Sequence, residues 1–203
     1  MDGLFKHCYS LTSVDVSNLN TKNVNLMRYM FEDCESIKYI NLSNFDTSSV
    51  TEMQRMFYKC NSLTSIDLSN FDTSKVTIMS NLFYNCKNLE YINLLNFNDI
   101  KSPSTSNMFY GISKNAVICI DKNKASSIYN IAKNMSCVVI SCRADWRKVQ
   151  KKINKKTGEC LDTCPYNTTP FNNICYSNDE LCDSNCKTCY LNDNIPSSNC
   201  SSL

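Results

Sequence analysis

The sequence predicts an α/β solenoid of about four 26-residue coils, followed by a small disulfide-rich tail. In each coil a strand would run parallel to its neighbours on one face, with a short helix on the other. Three observations lead there. Sliding the chain by 26 positions aligns Phe5, Phe31, Phe57, Phe83 and Phe109, then Cys8, Cys34, Cys60 and Cys86, then Leu11, Ile37, Leu63 and Leu89, without insertion or deletion. Within each copy the apolar spacing switches from a helical period to an alternating one. Seven of the 14 cysteines fall between Cys160 and Leu203, where aliphatic residues are few. A fixed period of this size marks a stack in which each copy buries its apolar face only against its neighbours.

The helical part is read from Val50, Met53, Met56, Phe57 and Cys60, at i, i+3, i+6, i+7 and i+10, about three turns of amphipathic helix. Thr47, Ser48 and Ser49 precede it as caps, and Ser49 with Glu52 has capping-box spacing. Leu63, Ile66 and Leu68 then alternate with Ser65, Asp67 and Ser69, as in a short half-buried strand. Asn18, Asn44, Asn70 and Asn96 recur at the bend that follows. A buried asparagine there would bond the open backbone of the adjacent coil, making a polar ladder.

The organisation reads as four segments: residues 1–109 the solenoid, 110–142 a C-terminal cap, 143–159 a basic linker or helix, and 160–203 a cysteine-rich module that stops before its pattern is complete. The helical face fades at Asn98–Pro103, where proline disfavours a helix. In the cap, Ala116–Ile120 and Cys137–Ile140 are strand-like runs around a helical Ala125–Ala132. From Arg143 to Lys156 seven basic residues face Asp145 alone, a net charge of +6, with Trp146, Val149 and Ile153 along one helical face. This is a solvated connector or, as the sharper alternative, a glycan- or membrane-surface patch. The first eight residues lack the apolar run of a signal peptide and already read as the back half of a copy. The expectation is a stack that begins on an open edge and belongs to a longer protein.

The motif Met-x-x-Met-Phe-x-x-Cys-x-Ser-Leu-x-x-Ile-Asp-Leu-Ser-Asn-Phe-Asp-Thr, from Met53 to Thr73, resembles the repeat of BspA-like leucine-rich-repeat surface proteins of bacteria and the related surface antigens of protists. The resemblance covers roughly residues 1–109. It implies a leucine-rich-repeat horseshoe at the cell surface, extracellular, engaged in adhesion or in binding a host or matrix protein or glycan, with no catalytic residues. Leu95, Ser102 and Thr105 depart from the pattern in the last coil. Cys182-x-x-x-Cys186-x-x-Cys189, followed by Asn199-Cys200, resembles the furin-like or growth-factor-receptor type of cysteine-rich segment.

Cys8, Cys34, Cys60 and Cys86 repeat on the inward face and read as a packed column of free thiols. The disulfide candidates are Cys119, Cys137, Cys142, Cys160, Cys164, Cys175, Cys182, Cys186, Cys189 and Cys200; a segment without a core needs such staples. Zinc competes, since Cys160-x3-Cys164 with Cys186-x2-Cys189 would make two knuckles. No resident cofactor or metal is expected. Of the glycosylation sequons, Asn167-Thr-Thr in a polar stretch is the candidate acceptor, whereas Asn41 serves the fold.

A net charge of +2 argues against nucleic acid, and no apolar run is long enough to cross a bilayer. With only three glycines there is no phosphate-cradling loop. His7 beside Cys8 would point about 100° away from it on a helix, so it is no catalytic base. What remains is an outward face whose residues change from coil to coil. Lys38, Tyr39, Asn41, Ser65, Asp67, Glu90, Tyr91 and Asn93 are the candidate partner contacts, with Tyr39 and Tyr91 the aromatic anchors. Three readings stand: an extracellular recognition protein, an intracellular repeat scaffold with a zinc-stapled tail, and a truncated paralogue with no binding role.

Overall fold

The structure is a computed structural model that describes residues 1–113 and 116–133, together with the strands named below that follow residue 133. The chain divides into two compact parts, Met1–Cys142 and Arg143–Leu203. In the first part β1 (Ser65–Asp67), β2 (Tyr91–Leu94), β3 (Val117–Ile120) and β4 (Cys137–Val139) form a four-stranded sheet in that order. All neighbours are parallel, with Ser65 opposite Tyr91 and Tyr91 opposite Val117. One helix, α1 (Ser126–Ala132), lies between β3 and β4 in the chain. A parallel sheet with a short crossover helix is an α/β arrangement. In the first two repeats the equivalent stretches are not strands; there Ser36 N–H donates to Tyr9 O at 3.2 Å and Lys38 N–H to Thr12 O at 3.4 Å.

The segment expected to be helical is not a helix. From Met53 to Cys60 the chain runs through successive turns, and its amides divide into two sets. Met56, Tyr58 and Cys60 donate to the carbonyl three residues earlier, at 3.2 Å each. Met53, Arg55, Phe57 and Lys59 instead donate to Ile78, Ser80, Leu82 and Tyr84 in the next repeat, at 2.7 to 3.0 Å. An α-helix would spend every amide on its own fourth-previous carbonyl and leave none for a neighbour. Here Arg55 and Lys59 each turn left-handed, with φ of 55°, which breaks the helical path and points alternate amides out. The left-handed conformation costs about 1–2 kcal/mol per residue, which the ladder along the stack offsets. The same two positions are left-handed at Gly3 and His7, Tyr29 and Asp33, Asn81 and Asn85, and Asn107 and Gly111. The caps expected at Thr47–Ser49 therefore have no helix to cap, and Glu52 pairs with Arg28 at 3.4 Å.

The core runs down the centre of this part. Phe5, Phe31, Phe57, Phe83 and Phe109 stack ring on ring, with centroids 5.2, 5.9, 5.6 and 5.9 Å apart. Met53, Met56, Leu63, Leu68 and Phe71 around Phe57 are fully buried, as are their counterparts in the next repeat. Pro103, where the helical face fades, is buried, and Ser104 beyond it still donates to Thr77 O at 2.9 Å. Turns tolerate the proline that a helix would not.

In the second part β5 (Lys152–Asn154), β6 (Cys160–Leu161), β7 (Thr168–Phe171) and β8 (Ile174–Ser177) form a sheet in the order β6-β5-β8-β7. β5 is antiparallel to β6 and parallel to β8. β9 (Cys189–Tyr190) and β10 (Asn199–Cys200) make an antiparallel pair that sets Cys200 opposite Cys189. Lys152–Asn154 is thus a strand where the basic segment suggested a helix: its backbone groups are taken by two flanking strands. The rest of that basic segment lies outside the described residues.

Candidate interaction surface

The outward positions divide sharply. Tyr39 is 62 % exposed, with Lys38 and Asn41 exposed beside it, and Asp67 and Glu90 are also exposed. Ser65 is half-buried. Tyr91 and Asn93, expected to face outward, are instead buried at 9 % and 7 % exposure. All four residues of β2 and all four of β3 are buried, so the sheet is covered on both faces there. Burial pushes the Tyr91 hydroxyl up to about 12, with the Asp67 charge adding to it. Of the two tyrosines expected as anchors, Tyr39 is exposed and Tyr91 is not.

Asn41, Asp67 and Asn93 share a second duty. Each side-chain oxygen accepts the amide two residues on, Ser43 at 3.1 Å, Ser69 at 2.9 Å and Leu95 at 3.1 Å, as Asp15 does from Ser17 at 2.9 Å. These turns close the bend after the strand. The column is structural; Lys38 and Tyr39 are exposed outward groups that lie outside it.

Two polar columns tie repeat to repeat. Asn44 Nδ2 donates to Val16 O at 3.1 Å and Ser17 O at 2.9 Å; Asn70 reaches Leu42 O and Phe45 O at 3.0 Å each; Asn96 reaches Ser69 O. These side chains bond the neighbouring repeat from exposed positions, not buried ones. Asn18 is exposed too. The buried polar column is threonine, of which Thr47 was expected to cap a helix. Thr21, Thr47 and Thr73 are 2, 2 and 1 % exposed. Each hydroxyl donates to one carbonyl of the next repeat (Asp46, Asp72 and Asn98) at 3.0 Å and accepts that same residue's amide at 2.7 or 2.8 Å. Recurrence of Thr at a 26-residue spacing before an apolar position was the available signal.

Cys34, Cys60 and Cys86 are free, buried thiols, and Cys8 is free and half-buried. Each buried thiol donates to the carbonyl of the phenylalanine one repeat back, Phe5, Phe31 and Phe57, at 3.1, 3.2 and 2.9 Å. Burial pushes Cys34 and Cys86 up to about 12, and Cys60 well above its ordinary range with neighbouring thiols adding. The thiolate is the nucleophile. Alkylation of the native protein at pH 8, mapped by peptide mass spectrometry, is expected to modify Cys8 and spare the other three until denaturant is added. Labelling of Cys60 at the rate of Cys8 would contradict this packing.

Cys119 is disulfide-bonded. Cys137, Cys160, Cys175, Cys189 and Cys200 lie on described strands. Cys142, Cys164, Cys182, Cys186 and Asn167 lie outside the described residues.

A charged face went unseen in the sequence. Arg28 lies between Asp2 at 2.7 Å and Glu52 at 3.4 Å; Glu32 between Lys6 at 3.3 Å and Arg55 at 3.4 Å; Asp33 between His7 at 3.0 Å and Lys59 at 3.8 Å. Glu32 and Asp33 are buried at 4 % and 9 % exposure, and buried carboxylates persist only when so paired. Arg28 holds the Asp2 carboxyl below its usual range. Beyond these repeats the charges give way to Tyr58, Tyr84 and Tyr110, stacked at 4.9 and 5.0 Å, with Arg55 over the Tyr58 ring at 4.9 Å. Lone residues gave no hint of this face, because partners 26 positions apart meet only in the stack.

Among the described residues no three His, Cys, Asp or Glu side chains are grouped to hold a metal ion. No helix there is long and apolar enough to cross a membrane. A family model described as a Mycoplasma protein of unknown function, DUF285, matches residues 1–122. No curated protein and no solved structure matches the chain.

Proposed function

Since residues 1–122 place the chain in the DUF285 family, to which it belongs, we propose that it is a non-enzymatic recognition protein of the cell surface. The family is associated with surface proteins. In this reading the 26-residue repeats form a leucine-rich-repeat-like solenoid of about four coils of the BspA-like type, followed by a disulfide-rich tail. The protein works outside the cell, adhering to a protein or glycan of a host or matrix. The disulfide at Cys119 fits an oxidising compartment.

One observation carries the proposal. The inward registers keep Phe, Cys and Thr from repeat to repeat, while one exposed register runs Thr12, Lys38, Thr64, Glu90. Lys38 stands in it, beside the exposed Tyr39. A fold that needs only its interior leaves such positions free to be chosen by a partner, and a tyrosine next to a cation is a typical anchor. The test is a binding screen of the purified chain against arrays of glycans and host-surface proteins, repeated with Tyr39→Ala and Lys38→Ala. Tyr39→Ala is expected to weaken the leading interaction by roughly tenfold or more, the range of an anchor residue. Undiminished binding would remove this face from the account.

A further inference from the structure

Asp15, Asn41, Asp67 and Asn93 stand in one register, and each closes the same turn on the amide two residues on. That turn uses one side-chain oxygen, which a carboxylate and a carboxamide supply equally well. Where the residue is asparagine, an NH2 group is left over. Asn93 is 7 % exposed, and the residue two places on is Leu95. Asn41 is exposed, its Nδ2 has no hydrogen-bond partner among the described residues, and the residue two places on is the exposed Ser43.

Exposure alternates through this stretch. Tyr39, Asn41 and Ser43 face solvent, while Ile40 and Leu42 are 3 % and 1 % exposed. Alternation puts the three outward side chains on one side of an extended chain, with neighbours roughly 7 Å apart. A free carboxamide, a hydroxyl and an aromatic ring thus share one open face, and the aliphatic side chains between them are held in the core.

We propose that Asn41 is a glycan acceptor, joined through Nδ2 to an oligosaccharide delivered on a lipid diphosphate. Asn41-Leu42-Ser43 has the acceptor pattern for that transfer. Nδ2 bonds to the anomeric carbon, the bond from that carbon to the diphosphate oxygen breaks, the nitrogen gives up one proton, and the lipid diphosphate leaves. Nothing is oxidised or reduced. Because only Oδ1 is committed to the Ser43 amide, the linkage leaves the turn closed. The Tyr39 ring, 62 % exposed, stands two residues away. The C–H face of the first sugar suits the negative face of that ring. The inference rests on the surface reading, since such a donor is met only by a chain leaving the cytoplasm. It also deepens that reading: a partner meets Lys38, Tyr39 and sugar together.

The test translates the full chain, behind a cleavable secretion leader, into microsomal vesicles that supply donor and transferase. Leader removal marks the molecules that entered. These are treated with peptide N-glycosidase in heavy-oxygen water, which converts a sugar-bearing asparagine to labelled aspartate, and their peptides are mapped by mass spectrometry. Label is expected at Asn41 in most molecules, retained in Ser43→Thr and lost in Ser43→Ala. Asn41→Asp should also lose it yet fold normally, with Cys60 still spared by alkylation, because Asp15 and Asp67 close the same turn as carboxylates. Removing the sugar from the native protein is expected to lower its thermal midpoint by about 2 °C, and Tyr39→Ala should abolish that drop. Leader-free chains with no label at Asn41 would overturn the proposal, whether or not another sequon is labelled. A midpoint that ignores sugar removal would overturn the contact with Tyr39. If Asn41 is labelled but Tyr39→Ala binds partners as well as the parent does, the recognition face fails and the acceptor stands.

Discussion

Phe57→Ala is expected to be the most damaging single change, lowering the stability of the first part by about 3–5 kcal/mol, the usual cost of emptying a buried aromatic site. Phe57 is fully buried, and its ring lies against Phe31 at 5.9 Å and Phe83 at 5.6 Å. Truncation opens a void that neither neighbour can close, because each is tied to the repeat that follows it by an amide-to-carbonyl bond of 2.9 Å, Phe31 to Met56 and Phe83 to Met108. The Phe57 carbonyl also receives the Cys86 thiol, so relaxation at this position disturbs a second column. The loss is a large fraction of the stability of a small domain, about 5–15 kcal/mol. Urea denaturation followed by circular dichroism reads it directly. Phe5→Ala, at the half-exposed end of the same stack, should cost clearly less; equal losses at both ends would mean that the rings do not act as one spine.

Thr47→Val should cost about 2–4 kcal/mol although it preserves shape and volume. The Thr47 hydroxyl donates to the Asp72 carbonyl at 3.0 Å and accepts the Asp72 amide at 2.8 Å, at a site 2 % exposed to solvent. Valine leaves a part-buried amide and carbonyl without partners, and each such group costs about 1–3 kcal/mol. Thr47→Ser keeps the hydroxyl and removes one methyl, so it should lose about 1 kcal/mol. Denaturation midpoints of the three proteins settle the comparison. If valine proves as stable as threonine, the column is packing and not hydrogen bonding.

Those two residues also mark how far a sequence can be read. Phe57 announced itself through recurrence: equal side chains at equal spacing must lie on equivalent points of a stack, and burial follows from their apolar character. The thiol positions and the strands β1 and β2 followed from the same reasoning, whereas β3 was legible only as an apolar run. Thr47 was visible in recurrence but not in role, since threonine before an apolar run has the same local signature whether it caps a helix or bridges two repeats. The helical spacing of Val50, Met53, Met56, Phe57 and Cys60 misled for a related reason. Successive three-residue turns place inward side chains at i, i+3 and i+7 as a helix does. The distinguishing sign lay at the left-handed positions, where Gly3, Asn81, Asn85, Asn107 and Gly111 tolerate positive φ but Tyr29, Arg55 and Lys59 hide it. At Gly111 a Cβ would collide with the Asn85 side chain, a constraint imposed by the preceding repeat.

By itself, then, the order of residues determined the repeat length, the membership of the interior and the direction in which equivalent residues line up, because periodicity and hydrophobicity are local properties that survive without coordinates. Only the tertiary structure decided that alternate amides leave their own repeat for the next one, that Tyr91 is covered while Tyr39 is exposed, and that charges 26 positions apart neutralise each other. The physical reason is common to all three. A backbone donor, an outward face and a buried charge are each settled by what stands opposite them, and in a stack that neighbour is a full repeat away in the chain.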